Sequence, residues 1–211
     1  MRILITAGPT REPIDPVRFL SNRSTGKMGY AIAAAAVLRG HEVLLVSGPV
    51  NVPTPGDCHI VSVETASQMY DEVMEHSKGC DAAVMVAAVA DYTPMETSPQ
   101  KLKKSGDKNL KLKPTKDILG SMRQIFEFDG VLVGFAADTE ELRENALSKM
   151  KRKGCDFIVA NDVSRKDIGF ESDQNEVTVF QSDGSKDHIK KCSKQDIAEK
   201  ILDKIESLLK G

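Results

Sequence analysis

Arg2-Ile-Leu-Ile-Thr6, followed at once by Ala7-Gly8-Pro9-Thr10, is the stretch that decides the fold: a short apolar run closed by a glycine turn. A run without polar alternation reads as a strand covered on both faces, as in a parallel sheet sandwiched between helices. Four more runs of this kind lie at 42–47, 82–88, 131–136 and 157–160. Between them the apolar period becomes helical. Residues 27–39 are Ala-rich and stop at Gly40, residues 65–77 open on Thr65 as an N-cap, and residues 139–153 stop at Gly154. This alternation predicts an α/β fold, a Rossmann-like and mostly parallel sheet flanked by helices. After Asn161 the pattern changes. Residues 176–181 alternate apolar and polar, Asp183-Gly184 makes a turn, and 186–190 return as a second strand, which predicts an antiparallel C-terminal edge. Ser193 is placed to cap a last helix whose Ile197, Ile201, Ile205 and Leu208 recur at helical spacing.

The chain has 211 residues, long enough to bury one substantial core, so a single domain over 1–211 is expected. Its 29 basic and 31 acidic side chains give a net charge of −2, which argues against electrostatic binding of nucleic acid. Cys58, Cys80, Cys155 and Cys192 are scattered, with neither disulfide-framework nor zinc spacing, and fit a reducing cytoplasm. Met1 runs directly into the first strand without the pattern of a signal peptide. The longest apolar run, 82–90, is too short for a bilayer, which takes about 20 residues. One compositional break stands out: residues 93–114 are polar and carry Lys101, Lys103, Lys104, Lys108, Lys111 and Lys113. A loop this long within a compact domain is expected to be functional or disordered, and here it reads as a lysine-rich flap.

Candidate chemistry gathers beyond the carboxyl ends of the predicted strands, where open α/β sheets bind ligands. The turn at Gly8 and the helix start at Gly26-Lys27-Met28-Gly29 offer backbone N–H groups to an anion. Between them lie Arg18, able to grip a phosphate or carboxylate by two bonds, and Asn22, able to donate and accept at once. Ala87 and Ala88 leave room for a ligand against the backbone, and Asp91 can bind a hydroxyl or help hold Mg²⁺ through substrate phosphates. Lys149 and Lys153, four apart on one helix, can meet a single anion. Taken alone, these residues leave ordinary turn chemistry and solvated charge open. No H-E-x-x-H, C-x-x-C or G-x-S-x-G is present, and the second strand ends without an acidic residue for a cofactor ribose, which disfavours a nicotinamide enzyme.

Read together, Ile5-Thr-Ala-Gly-Pro-Thr-Arg-Glu-Pro-Ile-Asp-Pro-Val-Arg18, Ser21-Asn22, Ser24-Thr-Gly-Lys-Met-Gly29, Leu45-Val-Ser-Gly-Pro49, Ala87-Ala-Val-Ala-Asp-Tyr92, Lys101-Leu-Lys-Lys104, Gly134-Phe-Ala-Ala137 and Ala160-Asn-Asp-Val163 resemble one family, phosphopantothenoylcysteine synthetase. The resemblance implies a ligase of coenzyme A synthesis. It activates 4′-phosphopantothenate with CTP to an acyl-cytidylate, releasing pyrophosphate, and then forms the amide with L-cysteine, releasing CMP. It implies Mg²⁺ as cofactor, CTP rather than ATP, and no flavin. The decarboxylase that forms the amino half of many bacterial relatives would be a separate partner. By position, Asn22 and Lys101 become the catalytic candidates. Arg18, Asn22, Ala87, Ala88 and Asp91 fall on the phosphopantothenate side, with Arg18 reaching across a homodimer. Asp91, Lys101, Phe135, Lys149 and Lys153 fall on the nucleotide side, with the 113–116 segment nearby. Two other functions remain as alternatives, a nucleotide-binding regulator that has lost ligation and a Rossmann-type redox protein.

Overall fold

In the computed structural model, which describes residues 1–138, 142–162 and 172–210, β1 (Arg2–Ala7) runs through the interior of an eight-stranded sheet. Its carboxyl end leads into a small hairpin, β2 (Arg11–Pro13) with β3 (Phe19–Ser21), before α1 (Lys27–Leu38) carries the chain back. Next come β4 (Glu42–Ser47) and β5 (His59–Ser62), then α2 (Ala66–His76), then β6 (Ala82–Met85) on the other side of β1. A second hairpin, β7 (Tyr92–Pro94) with β8 (Leu112–Pro114), brackets residues 95–111 and is followed by α3 (Ile118–Gln124). The parallel part ends with β9 (Val131–Asp138), α4 (Leu142–Lys153) and β10 (Phe157–Asp162). Strands β11 (Gln174–Gln181) and β12 (Lys186–Ser193) form the antiparallel edge, and α5 (Lys194–Lys210) closes the chain. The strand order β12-β11-β10-β9-β6-β1-β4-β5 bears out the mostly parallel, helix-flanked sheet.

Both faces of β1 are buried, which is why its sequence does not alternate. Ile3 and Ile5 pack with α1 and α5, while Leu4 packs with α2, α3 and α4. On α5 the stripe Ile197, Ile201 and Ile205 is buried as the periodicity predicts; Leu208, expected in the same stripe, is 45% exposed. Arg39, at the end of α1, fastens that helix to α5 through Glu199, Asp203 and Glu206 at 2.9, 2.8 and 2.9 Å. Thr65 caps α2 in a full capping box with Gln68. Ser193 Oγ accepts the Asp196 N–H at 3.0 Å at the start of α5.

Several boundaries differ from expectation. The run 82–88 is a strand only to Met85, because the N–H groups of Val86 and Ala87 turn to Thr6 Oγ1 at 3.1 and 3.2 Å and leave the ladder. Strand β12 continues to Ser193, beyond the expected 190. Helix α4 is described from Leu142, so positions 139–141 of the predicted 139–153 lie outside the described residues, as does Val163. The flap is not a structureless loop throughout, since β7 and β8 pair at its base. Among the described residues no helix is long and apolar enough to cross a membrane.

Candidate functional site

Strand β1 sends the chain to β4 on one side, and β6 later returns on the other, so the carboxyl ends of β1 and β6 form a topological switch point. A cleft of about 730 Å³ opens there. Its floor is the end of β1 and the segment after β6, joined by Ala88 N–H to Gly8 O at 2.9 Å, Thr10 N–H to Ala88 O at 3.3 Å and Ala90 N–H to Thr10 Oγ1 at 3.0 Å. The small side chains of Ala87 and Ala88 keep this floor low.

One wall is the N-terminus of α1. Gly26 caps that helix with φ +77°, and a Cβ there would meet Val50 Cγ1 at 2.6 Å and Gly8 Cα at 3.2 Å. Gly29 is equally constrained, since an added Cβ would come within 2.6 Å of Ala7 Cβ. The two glycines therefore let the helix start press onto the end of β1. Among the described residues no side chain caps this terminus, and its first turn holds no acidic residue, so its positive end faces the cleft.

The opposite wall comes from the 115–119 segment and α4. Lys149 Nζ donates to Phe135 O at 2.7 Å. Lys153 pairs with Asp117, whose carboxylate also caps α3 by accepting the Gly120 N–H at 2.9 Å. Burial lowers the Lys153 pKa, the direction expected when an ammonium leaves water. Burial likewise pushes the Cys155 thiol behind it up to about 12, so that sulfur is no nucleophile.

Of the residues singled out by sequence, Asn22, Ala87, Ala88, Asp91, Phe135, Lys149 and Lys153 all line this cleft. Asn22 Nδ2 donates to Ala88 O at 2.9 Å, which fixes the amide at the floor. Asp91 stands exposed at the rim, and its carboxylate takes no hydrogen bond or ion pair among the described residues. From the 113–116 segment, Lys116 lines the cleft and Lys113 does not. Arg18 and Lys101 also stand outside its wall. The Arg18 guanidinium turns back to Asp15, Nε to Oδ2 at 2.9 Å, and its Nη2 donates to Leu102 O at 2.9 Å. That guanidinium, with the N–H groups of Val17, Leu102 and Arg18, holds the Asp15 carboxyl well below the usual carboxylate range despite its burial.

The structure adds residues for which the sequence pattern gave no role. Asn161, buried at the end of β10, lines the cleft with an Oδ1 that accepts no hydrogen bond among the described residues. Asn175 of β11 and Lys194 at the start of α5 also reach the cleft. Burial, and then the charge of Lys27, bring the Lys194 ammonium down to about 8. An asparagine at a parallel strand's carboxyl end was the available signal for Asn161; the fold around 172–194 had to be known before Lys194 could be placed.

Residues 1–209 match the family described as the DNA/pantothenate metabolism flavoprotein C-terminal domain. The coenzyme A biosynthesis bifunctional protein CoaBC of Bacillus subtilis (strain 168) is 45% identical over 210 residues, covering 99% of this chain and 52% of that protein. The chain thus spans about half the length of the curated relatives it matches. The crystal structure of a CoaBC C-terminal domain superposes with a TM-score of 0.84 at 41% identity, over 99% of this chain and 95% of that one. A Cab2 variant solved in complex with phosphopantothenate-cysteine shares the fold at a TM-score of 0.81 and 17% identity, over 99% and 86% of the two chains. On sequence and structure alike, the chain belongs to the DNA/pantothenate metabolism flavoprotein C-terminal domain family, with the C-terminal domain of CoaBC among its members.

Proposed function

We propose that the chain is a phosphopantothenate–cysteine ligase that activates its acid with CTP. The observation that carries this reading is the convergence of Asn22, Ala88, Asp91, Phe135, Lys149 and Lys153 on one cleft at the sheet's switch point. A carboxylate oxygen is too poor a leaving group for an amine to displace directly. The phosphopantothenate carboxylate therefore attacks the α-phosphorus of CTP, the bond to the β-phosphate breaks and pyrophosphate leaves. The cysteine amine then attacks the acyl carbon, the bond to the phosphate oxygen breaks and CMP departs. Asn22, pinned to the floor, is positioned to hold the acyl-nucleotide by its amide during the second attack. Lys149 and Lys153 bring positive charge to the nucleotide wall, and Lys101 acts on the transferring phosphoryl group when the flap lies over it.

Mg²⁺ fits one residue. Asp91 offers an uncommitted carboxylate at the rim, the donor that a phosphate-bound Mg²⁺ takes from a protein while keeping several waters. When bound, the ion neutralises polyphosphate charge. Among the described residues the one close acidic and histidine cluster is Glu72, Glu75 and His76 on α2, which does not line the cleft.

The chain acts in the cytoplasm as a homodimer with shared sites, in concert with a decarboxylase. Support for the dimer comes from apolar side chains left exposed on the two small hairpins: Val17, Phe19, Tyr92 and Leu112, from 42% to 57%. Arg18 belongs to the first of these hairpins; half exposed beyond its contacts with Asp15 and Leu102, it is the group that meets the partner's phosphopantothenate. Mixing Arg18→Ala and Asp91→Asn chains, each inactive alone, restores activity under verified subunit exchange; exchange without recovery removes the shared site. The ligase reading itself is tested by pyrophosphate release from CTP, Mg²⁺ and phosphopantothenate, followed by CMP release only when cysteine is added. No pyrophosphate in the first mixture would overturn it.

A further inference from the structure

The flap is tied to the body at its root and then let go. Thr97 Oγ1 donates to Pro13 O at 3.1 Å and Ser98 N–H to Ile14 O at 3.0 Å. The outermost tie is Leu102, which is held on both of its backbone polar groups. Its N–H donates to Asp15 Oδ2 at 3.1 Å, and its carbonyl accepts from Arg18 Nη2 at 2.9 Å. From residue 103 to residue 110 no hydrogen bond is made among the described residues.

Asp15 suits this task. Its side chain is 0% exposed. Oδ1 accepts the N–H groups of Val17 and Arg18, both at 2.9 Å, and Oδ2 accepts Arg18 Nε and Leu102 N–H. Every bond runs into the carboxylate, which suits the ionised acid, since a protonated one would have to turn its O–H against one of these donors. An asparagine would have to turn its NH₂ group either against the two hairpin N–H groups or against the guanidinium. None of these contacts lies in the cleft. They lie in the joint between the hairpin that follows β1 and the segment that carries Lys101.

We propose that Asp15 is a positioning residue of the ligase reaction: by holding Leu102, with Arg18 closing the joint, it fixes the point beside the cleft from which the adjacent Lys101 reaches the site. This rests on reading Lys101 as the lysine that meets the transferring phosphoryl group. A side chain on an untethered loop samples many positions, and a misplacement of about 1 Å can cost about a hundredfold in rate. The joint removes that freedom one residue away from the lysine.

The test compares Asp15→Asn, Leu102→Pro and the double variant, with two readouts. The first is tryptic cleavage after Lys103 and Lys104 in the intact, ligand-free protein, since a proline at 102 would itself block the cut after Lys101. The second is the kcat and KM of pyrophosphate release with CTP. Each single variant is expected to speed flap cleavage about tenfold, as tethered segments do when they open more often. Each lowers kcat by about 10- to 100-fold and leaves KM for CTP within about twofold, because the nucleotide wall is intact. The double variant adds nothing to either effect, since both changes break one joint. Unchanged cleavage in Asp15→Asn, or additive losses in the double variant, would overturn the assignment. If Asp15→Asn melts early, Leu102→Pro decides alone, because it removes the N–H from an exposed segment and leaves the buried carboxylate in place. If the wild type releases no pyrophosphate, the ligase reading fails on that count and the cleavage comparison still decides the joint.

Discussion

Ile3, Leu4 and Ile5 in β1 and Lys101, Lys103 and Lys104 in the flap represent two ways of holding a chain. The first three are fully buried, hydrogen-bonded on both sides to β4 and β6, and packed on two helical layers. The lysines are exposed, and their segment is fixed through the Leu102 joint. The sheet supplies the floor, and the flap supplies charge whose place is set at the Leu102 joint. Stability and turnover therefore reside in different regions, and substitutions in the two should separate them.

The largest effect is expected in the sheet. Phe157 on β10 is fully buried and among the largest such side chains, so Phe157→Ala should cost about 3–5 kcal/mol. The melting temperature then falls by roughly 10 °C or more, while turnover per folded molecule holds. Calorimetry with active-site titration checks both; full activity loss without a thermal shift would break the contrast. The mirror experiment is Lys101→Gln. Its melting temperature should match the wild type, and pyrophosphate release should fall by roughly 10²–10³, the usual loss when a preorganised charge is removed. Release at the wild-type rate would reduce the lysine to a solvated surface charge.

Asn22 lies where floor and flap chemistry meet, and Asn22→Asp sharpens the boundary between them. The substitution replaces the donor to Ala88 O with a carboxylate and sets negative charge beside a phosphorylated intermediate. CMP release after cysteine addition should slow about tenfold more than pyrophosphate release, and rapid quench should show the acyl-nucleotide accumulating. Equal losses in the two half-reactions would make Asn22 a general binding residue.

The sheet was legible because burial on both faces writes a continuous apolar run, and Ile3 to Ile5 carry that mark plainly. The helix caps at Thr65 and Ser193 were legible for a similar reason, since local hydrogen bonds need local residues. Strand β5 was not, because only a half-buried edge strand with polar ends separates it from loop. The paired strands at the flap's root were hidden too, each only three residues long. In the site, Asn22 and Ala88 follow strands β3 and β6 and Asp91 precedes β7; their residue types alone left turn chemistry open, and it was the family resemblance that singled them out. Asp15 had no role assigned from sequence, and its grip on Leu102 joins positions 87 apart in the chain. No local pattern encodes such a contact. Lys194 was illegible on the same ground.

Lys194 carries the smallest of the expected effects, one that depends on pH. Its ammonium is buried beside Lys27 and donates to Ser172 O at 2.5 Å, while Lys27 pairs with Asp173 at 2.6 Å. Burial first and the Lys27 charge second bring its pKa from 10.5 to about 8, with Asp173 offsetting part of the fall. For a base, a folded value below the unfolded one means that the native state disfavours the proton. The cost is complete below about pH 8 and disappears as pH rises towards 10.5, because in that window the unfolded chain binds more protons than the native one. Wild type should therefore gain stability relative to Lys194→Met between pH 8 and pH 10. Water entering the cleft moderates the gain to about 1 kcal/mol, or roughly 2–4 °C. Thermal melts of the two proteins at pH 7, 8, 9 and 10 give the difference directly. Parallel curves would mean that the Lys194 ammonium is not penalised by its surroundings, and the electropositive end of the cleft would then be open to water.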